Sequence, residues 1–220
     1  QPNLEFAINT NACPPGETQW KEFVDRVKIL EDNNCIKRFV LFVSAEGKGA
    51  QQEYNRYGMD WTMFTDNVKY YLKQTQGRCV FMSAFNVLSI PTFLPFLKYV
   101  FKLKSGYKND IKVDIPYVRS PGFLDAKIAT KDLIKEYLHP CISYMEENNF
   151  DDREKSQMKR IVKDLDVRHA DLANWEQEAI EGRRMFYEWI QQYDKRRNVN
   201  FLEVFPQMKE FYEECKQCMI

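Results

Sequence analysis

The chain has 220 residues, 44% of them hydrophobic and 15% aromatic, a composition that buries a core and excludes a disordered protein. Its 32 basic residues balance 32 acidic ones, so a net charge of zero offers no bulk attraction to nucleic acid or an acidic membrane. No apolar run approaches the roughly 18 to 20 residues of a membrane-spanning helix, and the length suits one domain, or one domain with an appendage.

The opening residues, QPNLEFAINTN, lack the basic and apolar regions of a secretory signal. They also lack an initiator Met and run quickly into a strand-like segment, as a fragment cut from a longer chain would. Six cysteines (Cys13, Cys35, Cys79, Cys141, Cys215, Cys218) are scattered through apolar or helical contexts. That usage predicts reduced thiols and a cytoplasmic protein.

In chain order, Leu4 to Ile8 reads as a short strand entering a loop. PPGETQWKEFVDRVKILEDNN predicts a helix, because Trp20, Phe23, Val24, Val27 and Leu30 recur at three- and four-residue spacing. IKRFVLFVS is nearly continuous and β-branched, which predicts a strand covered on both faces. DWTMFTDNVKYYLKQT predicts a helix with Asp60 as its N-cap and Trp61, Phe64, Val68, Tyr71 and Leu72 turned inward.

RCVFMSAFN reads as the next strand, and PTFLPFLKYVFKLK as a helix with Pro91 at its first position. IKVDIPYV reads as a strand broken by Pro116, followed by the loop RSPG. Alternation of this kind over residues 3–118 predicts parallel βαβ units with right-handed crossovers. Past Ala129 every segment reads as helix, which puts a domain boundary near residue 128: residues 1–128 α/β, residues 129–220 a helical C-terminal extension.

The stretch VLFVSAEGKGAQQEYNRYG, Val40 to Gly58, invites a phosphate-binding reading and fails it. A P-loop needs two glycines four residues apart followed by Lys and a hydroxyl residue. A dinucleotide fingerprint needs a third glycine where Gln52 stands. What remains is a strand ending in Ser44 and Glu46, with Glu53, Tyr54 and Arg56 beyond. Ligands of α/β sheets and barrels sit at the carboxyl ends of the strands. A carboxylate two residues from a hydroxyl can accept from vicinal ribose hydroxyls, and an Arg further on can clamp a carboxylate. The alternative reading has Ser44 and Glu46 end the strand while Arg56 makes a surface ion pair.

The order of these pieces resembles the second half of a radical S-adenosylmethionine (SAM) enzyme, most like the short forms with a twitch-type C-terminal extension. INTNA at one strand end, VSAEG at the next, then EYNRYGMDWTMFTDNVKYYL, FNVLSIPTFLPFL and IPYVRSPGFLDAKIA carry the resemblance over residues 3–128. It implies an incomplete (β/α)6 partial TIM barrel of about four parallel strands, followed by the α-helical extension. Ser44 and Glu46 would hold the ribose of SAM and Arg56 its carboxylate. Asn86 would reach the ribose or the methionine moiety, and the backbone around Tyr117 and Val118 would flank the adenine. Thr10 and Asn11 would face either SAM or substrate.

The resemblance further implies a [4Fe–4S] cluster at which SAM is reductively cleaved to a 5′-deoxyadenosyl radical. The radical would act on a peptide, nucleoside or small metabolite, with an electron donor such as a flavodoxin or ferredoxin. The family's Cys-x3-Cys-x2-Cys motif and its Gly-Gly-Glu-Pro segment are not in this sequence. Both would precede residue 3, so the chain by itself is not expected to be catalytically competent.

Cys215-x2-Cys218 has metal-ligand spacing but no second pair, which favours helix-end thiols. His139 and His169 belong to no ligand or triad spacing and read as surface or capping residues. REKSQMKRIVK and DKRRN could form a basic stripe, but Glu154, Asp164 and Asp166 interleave with it, so a solvated face is expected rather than a nucleic-acid surface. MFYEWIQQY reads as core. The second functional reading is a non-catalytic α/β binding module whose helical tail docks a protein or RNA.

Overall fold

The computed structural model describes residues 3–16, 18–170 and 172–219, and side chains outside 168–175. It divides into two compact units, Gln1–Ser83 with Phe96–Ile115, and Ala84–Pro95 with Pro116–Ile220. Composition marks residue 128 as the end of strand-like sequence, whereas this division falls at Pro116 and assigns Ala84–Pro95 to the later unit.

The first unit holds β1 (Glu5–Thr10), α1 (Gln19–Asp32), β2 (Arg38–Ser44), α2 (Ala50–Asn55), α3 (Trp61–Gln74), β3 (Arg78–Met82), most of α4 (Phe93–Gly106), and β4 (Ile111–Asp114). The strands are all parallel, in the order β1-β2-β3-β4. Helices α1 and α3 largely follow the predicted spacings: Trp20, Val24 and Val27 are buried on α1 and Phe64, Val68, Tyr71 and Leu72 on α3, while Phe23, Leu30 and Trp61 are half-buried. Asp60 caps α3, accepting from the Met63 N–H at 2.8 Å.

Register and ring contacts show that all the crossovers run on one side. Phe39 of β2 meets Phe23 of α1 at 5.9 Å and Tyr71 of α3 at 6.3 Å between ring centroids. Phe81 of β3, which pairs in register with Val43, meets Phe64 of α3 and Phe96 and Tyr99 of α4. Phe39, Val43 and Phe81 share a sheet face by the two-residue period of a strand, so α1, α3 and α4 cover that same face. Sequential parallel strands with right-handed crossovers require this arrangement.

The opposite face carries Ala7 and Asn9 of β1, Val40, Phe42 and Ser44 of β2, Val80 and Met82 of β3, and Lys112 and Asp114 of β4. Burial of β2 on both faces was predicted by its apolar run. Phe39, Leu41 and Val43 are fully buried, but Phe42 and Ser44 on the face away from the helices stay partly exposed. β1 forms a sheet edge and is largely exposed on both faces, with Phe6 and the adjoining Leu4 each 43% exposed.

In the second unit, Ala84–Asn86 runs beside Pro116–Val118. Phe85 bridges Tyr117 in parallel, its N–H donating to the Pro116 carbonyl at 2.8 Å and its carbonyl accepting from Val118 at 2.9 Å. Pro91 was expected to open a helix. It lies instead inside a 3-10 turn, Val87–Thr92, and α4 begins after it.

The rest of the described chain is helical: α5 (Lys131–Leu133), a π turn (Ile134–Leu138), α6 (His139–Glu147), α7 (Asp152–Ala170), α8 (Leu172–Arg197), α9 (Phe201–Val204) and α10 (Lys209–Gln217). Pro140 has no N–H for the Glu136 carbonyl, and the turn ahead of it widens to π geometry. Phe186 of α8 is buried against Phe201 at 5.8 Å and Phe211 at 5.4 Å, whereas Tyr187, Trp189 and Tyr193 of the same run, read as core, are half-buried and Met185 is exposed. Gly182 lets α8 approach closely, since a Cβ there would lie 2.5 Å from Cγ2 of Ile128.

Candidate functional site

At the carboxyl end of β2 the backbone passes from Ser44 through Ala45 to a buried Glu46. It then turns at Gly49, whose φ of +62° and ψ of −142° suit glycine alone. The six-residue α2 that follows brings Gln52 and Arg56 back over Glu46. Gln52 and Arg56 stand four residues apart, one helical turn, and so face the same way.

Glu46 is 1% exposed and both of its carboxylate oxygens are occupied. Arg56 donates from Nε to Oε2 at 2.7 Å and from Nη2 to Oε1. The Gln52 amide donates to Oε2 at 3.3 Å, while its carbonyl oxygen accepts from the Glu46 N–H at 2.9 Å. A lone buried carboxylate would cost several kcal/mol, on the order of the penalty for an unpaired ion, and the guanidinium offsets it. The Arg56 side chain is itself 33% exposed, and its remaining Nη1 edge has no partner among the described residues. Ser44 ends β2 on the face away from the helices, and its hydroxyl makes no side-chain hydrogen bond among the described residues.

The surroundings hold this corner in place. Glu53 accepts from the Trp61 N–H at 2.8 Å, tying α2 to the start of α3. After β1, Thr10 accepts from the Ala12 N–H at 3.0 Å and Asn11 from the Cys13 N–H at 3.1 Å, so both side chains brace the turn. Asn67 of α3 donates to the Ala12 carbonyl at 2.9 Å, and its own carbonyl accepts from the Trp20 indole at 2.8 Å.

Two of the sequence-derived candidates lie in the second unit. Asn86 is 6% exposed and caps the Val87–Thr92 turn: its carbonyl oxygen accepts from the Leu88 N–H at 2.9 Å, and its backbone N–H donates to the Ser89 hydroxyl at 3.2 Å. Val118 pairs through its backbone with Phe85. The Tyr117 hydroxyl donates to the buried Asp125 carboxylate, which also accepts from the Lys127 N–H at 2.9 Å.

The structure thus joins Glu46 to Arg56 within the first unit and sets Asn86 beside the Val118 strand within the second. Gln52 escaped the sequence reading. The signal available for it was its one-turn spacing from Arg56.

The described residues contain no group of three or more His, Cys, Asp or Glu side chains arranged to hold a metal ion. Cys79, Cys141 and Cys215 are buried, and burial pushes their thiols up, Cys141 to about 12. Cys218 donates to the Glu214 carbonyl of its own helix at 3.4 Å. A [4Fe–4S] cluster therefore finds no ligand set in the described part of this chain. His139 lies near Asp166 at the surface, and the side chain of His169 is outside the described residues. No family model matches the chain, and comparison with curated proteins and with solved structures finds no similar one.

Proposed function

We propose that the chain is the SAM-binding C-terminal part of a radical SAM enzyme, with cluster ligands contributed by residues outside these 220. The observation that carries this reading is a pair of polar groups at the end of β2, the Nη1 edge of the Arg56 guanidinium and the Ser44 hydroxyl, neither with a side-chain partner among the described residues. Arg56 suits the cofactor's carboxylate and Ser44 a ribose hydroxyl. Thr10 and Asn11, at the end of the neighbouring strand, would border the same ligand or the substrate.

The one-sided winding supports an incomplete (β/α)6 barrel, in which helices form the outer layer and the other sheet face lines the interior. The exposure of β1 supports it too, because further βα units would continue the sheet at that edge. When bound at a reduced cluster, SAM supplies the chemistry, a one-electron cleavage that delivers a hydrogen-abstracting radical to a substrate. This chain's own residues orient the amino-acid and ribose ends.

The test is anaerobic reconstitution of the parent reading frame with iron and sulfide. Iron–sulfur absorbance and 5′-deoxyadenosine release on reduction are expected. A parent frame without Cys-x3-Cys-x2-Cys, or a reconstituted protein showing neither signal, overturns the reading. Tight RNA or protein binding with no affinity for adenosyl ligands would favour the non-catalytic module.

A further inference from the structure

We infer that Glu46 acts on a bound amino-acid carboxylate through Arg56, as a positioning residue, and does not itself contact the ligand. This rests on the adenosyl-ligand reading above and changes the part Glu46 plays in it. At 1% exposure, with both oxygens taken by Arg56 and Gln52, Glu46 has no face to offer a ribose unless one of those partners leaves.

The grip is side-on, through Nε and Nη2, and it holds the guanidinium and the carboxylate in one plane. That orientation turns the opposite edge of Arg56 toward solvent. Gln52 fixes Glu46 in turn by bonding its backbone N–H and one carboxylate oxygen together. The guanidinium is therefore oriented before any ligand arrives, which lowers the ordering cost of binding. Glu46 also neutralises the charge of Arg56, so the site selects its anion by the fork of N–H donors more than by net charge. A lysine cannot reproduce that fork.

Two probes separate contact from positioning. S-adenosylhomocysteine carries the amino-acid carboxylate, whereas 5′-methylthioadenosine has the same nucleoside without it. Binding of both is measured by calorimetry on the reconstituted parent protein and its variants, with circular dichroism melts checking that each is folded. The wild type should prefer S-adenosylhomocysteine. Arg56→Ala, Arg56→Lys and Glu46→Gln should each cut that preference about tenfold or more, with affinity for methylthioadenosine held within about twofold.

Gln52→Met leaves the ion pair in place and should lose part of the preference, which keeps the inference testable if Glu46→Gln does not fold. Equal weakening of both probes by Glu46→Gln, or an unchanged preference in Glu46→Gln or Gln52→Met, overturns the positioning role while leaving the adenosyl site standing. A wild type that binds neither probe overturns the adenosyl reading, and the positioning role with it.

Discussion

The Tyr71 hydroxyl stands where a Cβ on Gly77 would be, and from that position it donates to the Arg78 carbonyl at 3.2 Å. This single contact fastens the end of α3 to the start of β3. Burial raises the phenol far above its usual range, so it is a donor at any ordinary pH. Gly77→Ala should cost about 1–3 kcal/mol in urea denaturation, as overpacking of a filled site does. Gly77→Ala with Tyr71→Phe should recover part of that loss, but only part, since the Phe39 carbonyl also lies 3.0 Å from the added methyl. A neutral Gly77→Ala would show that the approach is not tight.

Gly49 is constrained differently. No atom lies within 4 Å of a Cβ there, yet its φ is +62°. Gly49→Ala should therefore lose about 1–3 kcal/mol through backbone strain alone. Gly106, also uncrowded and with no positive φ, is the control, and Gly106→Ala should be neutral or stabilising by up to about 1 kcal/mol. Similar melting temperatures for the two variants would contradict the assignment.

Tyr99 packs edge-on against Trp61 at 5.3 Å and Phe81 at 6.2 Å, and its buried hydroxyl has no hydrogen-bond partner among the described residues. Removing a polar group that has forfeited water without gaining a partner relieves a desolvation penalty. Tyr99→Phe should match or exceed wild-type stability by up to about 1 kcal/mol. Tyr71→Phe, which removes a made bond, should lose about 0.5–1.5 kcal/mol. A Tyr99→Phe loss equal to that of Tyr71→Phe would show a partner for the Tyr99 hydroxyl.

The six thiols should sort by burial when titrated with a disulfide reagent at pH 8. Cys35 is exposed and should react first, with Cys13 and Cys218 slower. Cys79, Cys141 and Cys215 are buried with raised thiols, so they should react only once the protein unfolds. Mass spectrometry of the labelled native protein reads this directly, and early labelling of Cys215 would contradict the packing of α10.

What the sequence revealed followed the range of the interactions. The faces of α1 and α3 and the Asp60 cap are local, set by residues three or four apart, and they could be read from Trp20–Val24–Val27 and from Asp60–Met63. Pro91 does not open the helical run, because Asn86 and Ser89 build a capping box ahead of it, a pattern legible in the letters NVLS. The joining of Glu46 to Arg56 depends on the turn at Gly49 and a helix of six residues, too short to show a period. The sequence puts Ser44, Glu46 and Arg56 within thirteen residues of each other, but that Glu46 bonds Arg56, with Gln52 beside it, is set by the folded chain.

The compact units interleave along the chain, and this limits how the molecule can be dissected. A cut after Ser83 strips the first unit of Phe96–Ile115, which includes β4. A cut after Ile115 leaves Ala84–Pro95 on the wrong fragment, so the Phe85 partner of Tyr117 stays behind. No single cleavage yields both units whole. On an emerging chain, the first sheet likewise waits for residue 115 before its last strand can join.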